Sequence, residues 1–136
     1  MKARLFVLFS LARSLVAHAG ETQAISCPAF LPATAQSPPA RLDSVRVLSY
    51  PKNDPPTDNG SSRAMPPTEE KEVGGFFYQS WRMGFDAPAY VFRVDCVYLG
   101  EERYISFDAN TVKHCTARWR LRRGVVQDGS LQFHCD

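Results

Sequence analysis

Four cysteines, two of the three histidines and one row of arginines are the side chains here whose chemistry goes beyond packing. Cys27, Cys96, Cys115 and Cys135 are an even number at wide spacings. None of those spacings matches a Cys-x-x-Cys zinc or redox motif. In a short exported chain, four such cysteines read as two disulfides, and no thiol nucleophile then remains. His114 and His134 lie beyond the N-terminal segment. A metal pair would need a third ligand, and no carboxylate stands at a telling spacing, so both read as solvated strand residues. Glu101-Glu102 reads as a turn, since adjacent carboxylates on a strand point apart. There is no Gly-x-Ser-x-Gly elbow, phosphate-cradling loop or dinucleotide fingerprint. The expectation is a protein that is not an enzyme and holds neither metal nor cofactor.

Arg118, Arg120 and Arg122 alternate, which puts them on one face of a strand, with Arg123 and Lys113 close by. Such a face can grip an acidic protein surface, a sulfate or a polyanion through bidentate contacts. It also serves as the wet face of an edge hairpin, where charge discourages strand-to-strand aggregation. The wider charge balance does not select nucleic acid. The chain begins Met-Lys-Ala-Arg, continues through an apolar run interrupted by Arg13, and reaches Ala17-His18-Ala19. That is the pattern of a secretory signal peptide, expected over 1–19, with an ordinary N-terminal helix as the other reading. The formal charge of +2 includes Lys2, Arg4 and Arg13; without them thirteen of the sixteen basic residues face fourteen acidic ones. No nucleic acid or membrane surface is expected as partner, and no transmembrane segment is expected in the mature chain. Localisation is expected to be periplasmic or secreted, after cleavage near Ala19. Cys27 also admits a reading as a lipidated cysteine, but it stands well past the apolar run.

The elements that must position these groups are strands. Residues 90–99 alternate Tyr90, Phe92, Val94, Cys96 and Tyr98 against a face with Arg93 and Asp95. One face suits a core and the other water. Residues 42–48 predict a strand through Val45 and Val47. A third runs from Phe76 through Phe77, Tyr78 and Trp81; these aromatics form core or line a groove. Residues 104–107 return antiparallel to the central strand. Residues 20–40, with Pro28, Pro32, Pro38 and Pro39, predict an extended arm tied down by Cys27. Residues 51–73 predict a long Pro-rich surface loop, with a turn signal at 58–62 and one turn of helix at 69–72 capped by Thr68. The whole is expected to be mainly β: a small antiparallel sheet of about five to six strands in one domain over 41–136, stapled by disulfides, with at most one short helix.

The C-terminal third constrains the pairing of the cysteines. Cys115, Ala117 and Trp119 share one parity, as do Leu131, Phe133 and Cys135. A hairpin centred on Val125 sets Cys115 opposite Cys135, at a distance a disulfide spans. Cys27–Cys96 follows by elimination. Centring on Asp128-Gly129, a two-residue turn signal, puts Cys135 opposite Arg122 and favours Cys96–Cys115 with Cys27–Cys135. Both pairings stand at this level.

These landmarks have a recognisable order: Cys27-Pro28, a strand, Pro55-Pro56 and Pro66-Pro67, Trp81, Cys96-x-Tyr98, Cys115 and Cys135. The chain resembles a family of small exported bacterial proteins of unknown function with that pattern, departing from it at Tyr50-Pro51-Lys52. The resemblance implies an exported address and a framework, and no activity. The functional expectation is a non-enzymatic binding or interaction module, whose partner is another extracytoplasmic protein or an anionic ligand. The alternative is a lysozyme-inhibitor-like periplasmic protein, although no Ser-Gly-x-x-Tyr segment is present. A hydrolase ranks below both.

Overall fold

The computed structural model describes residues 24–54, 64–85 and 88–136. The leader segment and the 58–62 turn lie outside the described residues. Among those described there are ten strands and no helix, in two antiparallel sheets.

β6 (Tyr90–Tyr98) is central to one of them. Phe92, Val94, Cys96 and Tyr98 are buried, as the alternation predicts. β6 lies between β3 (Ala40–Pro51) and β7 (Tyr104–Asp108), and β2 (Phe30–Leu31) completes the order β2-β3-β6-β7. β3 carries an extra residue between Leu42 and Ser44. A bulge shifts side-chain phase by one, so Leu42 before it and Val47 after it both reach the core.

The other face of β6 corrects the sequence reading, in which Asp95 meets water. Asp95 is fully buried. Register explains it: Arg46 of β3 and Ser106 of β7 stand directly opposite Asp95 on either side. Arg46 Nη2 and Arg93 Nη2 each donate to Oδ2 at 3.2 Å, and Ser106 Oγ donates to Oδ1 at 2.7 Å. A buried carboxylate persists only when paired and hydrogen-bonded in this way. The Arg46 guanidinium also lies over the Tyr104 ring, 5.0 Å from its centroid.

The second sheet runs β1-β10-β8-β5-β4, from β1 (Ile25–Ser26), β10 (Gln132–Cys135), β8 (His114–Arg122) and β5 (Phe76–Arg82) to β4 (Glu69–Val73), with β9 (Val125–Val126) pairing β8 beyond β10. β4 replaces the expected turn of helix. Gly74 and Gly75 both have positive φ, +58° and +81°, the geometry of a two-residue hairpin turn. That turn folds 69–73 back along β5, where strand pairing satisfies backbone groups that one helical turn would leave open. Thr68 is no cap; its Oγ1 accepts the Arg82 N–H at 3.0 Å. The long-loop expectation is likewise trimmed, since β3 extends to Pro51 and Ala64 bridges Leu48.

The tip of the C-terminal hairpin is neither of the two centres read from the sequence. It falls at Arg123-Gly124, both with positive φ, so that Arg122 pairs Val125. A second corner over 127–130, closed by Ser130 N–H to Gln127 C=O at 3.3 Å, changes the register. β10 then pairs Cys135 with Cys115 and Phe133 with Ala117, the alignment that the Val125 centre predicts.

Both disulfides form, Cys27–Cys96 and Cys115–Cys135, and no cysteine is free. Cys115–Cys135 joins neighbouring strands of one sheet. Cys27–Cys96 joins the sheets, because Cys27 follows β1 and donates its N–H to Phe133 C=O, whereas Cys96 belongs to β6. The arm is held by more than the expected sulfur: β1 pairs β10, β2 pairs β3, and Tyr98 Oη donates to Pro28 C=O at 2.8 Å. Burial pushes the Tyr98 phenol above its ordinary pKa. One apolar core spans both sheets, with Trp81, Phe133 and Ile25 from one and Phe92, Val94 and Val47 from the other. The expected single sheet is thus two, because β5 pairs β4 and β8 and never β6. Among the described residues, no helix is long and apolar enough to cross a membrane.

Candidate functional site

The arginine row lies on the outer face of the β1-β10-β8-β5-β4 sheet. Trp81 opposite Cys115 marks its inner face, both buried. Residues of the other parity therefore point outward. Tyr78 stands opposite Arg118, Phe76 opposite Arg120, and Gln132 opposite Arg118 on the far side. Lys71 of β4 stands opposite Tyr78. One row thus crosses four strands as Lys71, Tyr78, Arg118 and Gln132.

Two rings form the bed for these cations. The Arg118 guanidinium lies 4.6 Å from the Phe76 centroid, and Lys71 Nζ lies 6.0 Å from that of Tyr78. Phe76 and Tyr78 are themselves 6.2 Å apart. Attraction to the ring quadrupole holds a cation without neutralising it. Arg118 also donates to Gln132 Oε1. Arg120 and Arg122 are exposed, and the ion pairs among the described residues involve neither of them.

A groove of about 660 Å³ borders the three arginines of β8, and the 127–130 corner forms its wall. Phe76, Arg118, Arg120 and Arg122 line one side and Ser130 and Gln132 the other, with Asp128 the single acid among the described residues there. Ser130 Oγ accepts the Arg120 backbone N–H at 2.9 Å, which fixes the corner against β8. Gly129 has φ +77°, and a Cβ there would lie 3.0 Å from Arg41 Nη1 and 3.3 Å from its Cδ. The absent side chain leaves room for Arg41, which brings a cation from the other sheet to the same corner.

The structure therefore gathers Arg118, Arg120 and Arg122 and leaves out two of their sequence neighbours. Arg123 occupies the hairpin tip with φ +52°. Lys113 precedes β8 and lines a different groove, of about 610 Å³, with Met83, Val112 and His114. Sequence reasoning missed Lys71 and Gln132, which inter-strand register brings near the row, and Arg41, which packing of one sheet on the other brings to the corner. Of the four aromatics, Trp81 is core and Phe77 packs on Trp119 at 5.7 Å, whereas Phe76 and Tyr78 face outward. Their parity carries that signal once β5 is known to pair β8.

His114 and His134 are exposed on the outer face, opposite Arg82 and Thr116 respectively. Among the described residues, no group of three His, Cys, Asp or Glu side chains comes together as a metal site requires. In the connection between β6 and β7, the Arg103 guanidinium donates to Glu101 at 2.9 Å and holds that carboxyl below its ordinary pKa. No family model, curated protein or solved structure matches the chain.

Proposed function

We propose that this is an exported, non-enzymatic binding protein of the small bacterial type its cysteine order resembles, and that it holds an anionic ligand on the outer face of its larger sheet. The observation that supports this most is the set of three arginines in register beside a groove, with two of them free of carboxylate partners among the described residues. Charge placed only to deter aggregation has no need of a ring bed or of a glycine that admits Arg41. A guanidinium held by stacking, as Arg118 is on Phe76, loses less side-chain freedom on binding, which favours affinity. The two completed disulfides support an oxidising compartment, and the leader pattern supports export.

Polyglutamate is the simplest probe. Titration calorimetry is expected to show binding that weakens as salt rises. An R118A/R120A/R122A protein should bind about tenfold more weakly, since each exposed pair contributes several tenths of a kcal/mol. Equal affinity in that variant, with its fold intact by circular dichroism, would discard the arginine face as the site.

A further inference from the structure

The geometry points to one kind of partner for this face: an extended acidic peptide segment, with carboxylates at alternate positions, lying along β8. The inference rests on the arginine face being the binding surface. Arg118, Arg120 and Arg122 occupy alternate positions on one regular strand, so their Cα atoms repeat at about 6.6–6.8 Å. An extended peptide with Asp or Glu at every second position presents its carboxylates at that same repeat, because the same backbone sets it. Each carboxylate then meets one guanidinium, in the planar two-pronged geometry the pair prefers.

The surroundings agree with a peptide. The faces of Phe76 and Tyr78 carry Arg118 and Lys71, so these rings offer no vacant stacking platform of the sort single-stranded nucleic acid uses. On the opposite wall the Ser130 hydroxyl is spent within the corner, donating to Gln127 C=O and accepting the Arg120 N–H, while Gln132, its Oε1 taken by Arg118, keeps its amide N–H groups for a peptide carbonyl. Both edges of β8 are already taken, by β5 on one side and by β9, the 127–130 corner and β10 on the other, so the segment is gripped by side chains and adds no strand to the sheet. Among the described residues that line the groove, Asp128 is the one repulsive group, and Arg41 at Gly129 brings a cation to the same corner.

The test compares two capped peptides of equal composition, one with three glutamates alternating with serines and one with the three glutamates contiguous. The alternating peptide is expected to bind about tenfold more tightly to the wild-type protein. R120A, which removes the middle cation from an exposed position, should erase the preference. D128N should tighten both peptides. Equal affinity for the two isomers overturns the spacing argument and leaves the arginine face standing. Failure of both to bind, together with polyglutamate, overturns the face itself. Tighter binding of an oligothymidylate or a sulfated disaccharide of equal charge overturns the peptide assignment in favour of that ligand.

Discussion

Asp95 shows how much a single residue depends on its neighbours. Its carboxylate is out of contact with water and receives Arg46, Arg93 and Ser106. Removing one member of a buried ion group leaves the others uncompensated, at a cost of about 3–5 kcal/mol. Both arginines keep some contact with solvent, at 21% side-chain exposure each, so the lower end applies. Asp95→Ala should therefore lower the unfolding free energy by about 3 kcal/mol, measured by urea denaturation. A loss below about 1 kcal/mol would mean that water reaches the arginines freely. At this scale the sequence reads well for apolar residues and poorly for this acid. Phe92, Val94, Cys96 and Tyr98 declare their burial by alternation alone. Asp95 and Arg93 look like a solvated pair until Arg46 and Ser106 arrive from strands 49 and 11 residues away. Local periodicity carries no information about a partner that distant.

At the scale of elements the legible signals are the turns, and the missed ones are turns whose consequence is non-local. Gly74-Gly75 between two strand-forming runs is a hairpin signal, yet 69–72, rich in glutamate behind Thr68, reads locally as the start of a helix. Pairing with β5 decides the matter. The 127–130 corner is subtler, since it changes register within one hairpin and builds the groove wall in doing so. A comparison of two glycines separates its backbone and contact requirements. Gly75 and Gly129 have nearly equal φ, +81° and +77°, but a Cβ at Gly75 meets nothing within 4 Å, whereas one at Gly129 meets Arg41. Gly75→Ala should cost about 1 kcal/mol, the price of a left-handed L-residue. Gly129→Ala should cost that plus a smaller increment, under about 1 kcal/mol because the arginine end can move aside. The increment should vanish in an Arg41→Ala background. Its persistence there would show that another contact, and not Arg41, requires the glycine.

For the whole molecule the question is what couples two sheets that share no strand pairing. Their common core is one answer, and Cys27–Cys96 is the covalent one. The two disulfides differ in kind. Cys115–Cys135 spans 20 residues and joins strands already hydrogen-bonded to each other, whereas Cys27–Cys96 spans 69 residues and joins the sheets. Loop-closure entropy gives the shorter bridge about 3 kcal/mol and the longer about 4 kcal/mol. Since all four sulfurs sit in or against the core, replacing each pair by alanine removes comparable packing, and the difference in span should dominate. Cys27→Ala/Cys96→Ala is therefore expected to lose about 1 kcal/mol more than Cys115→Ala/Cys135→Ala in urea unfolding of the non-reduced proteins. It should also loosen the arm first, so that the amides of Ile25, Cys27 and Leu42, which pair the arm to β10 and to β3, exchange faster than those at the centre of β6. The reverse order of stability would place the covalent coupling of the molecule within the larger sheet. The noncovalent core, and not the inter-sheet bridge, would then be what holds the arginine face and its Arg41 corner in one piece.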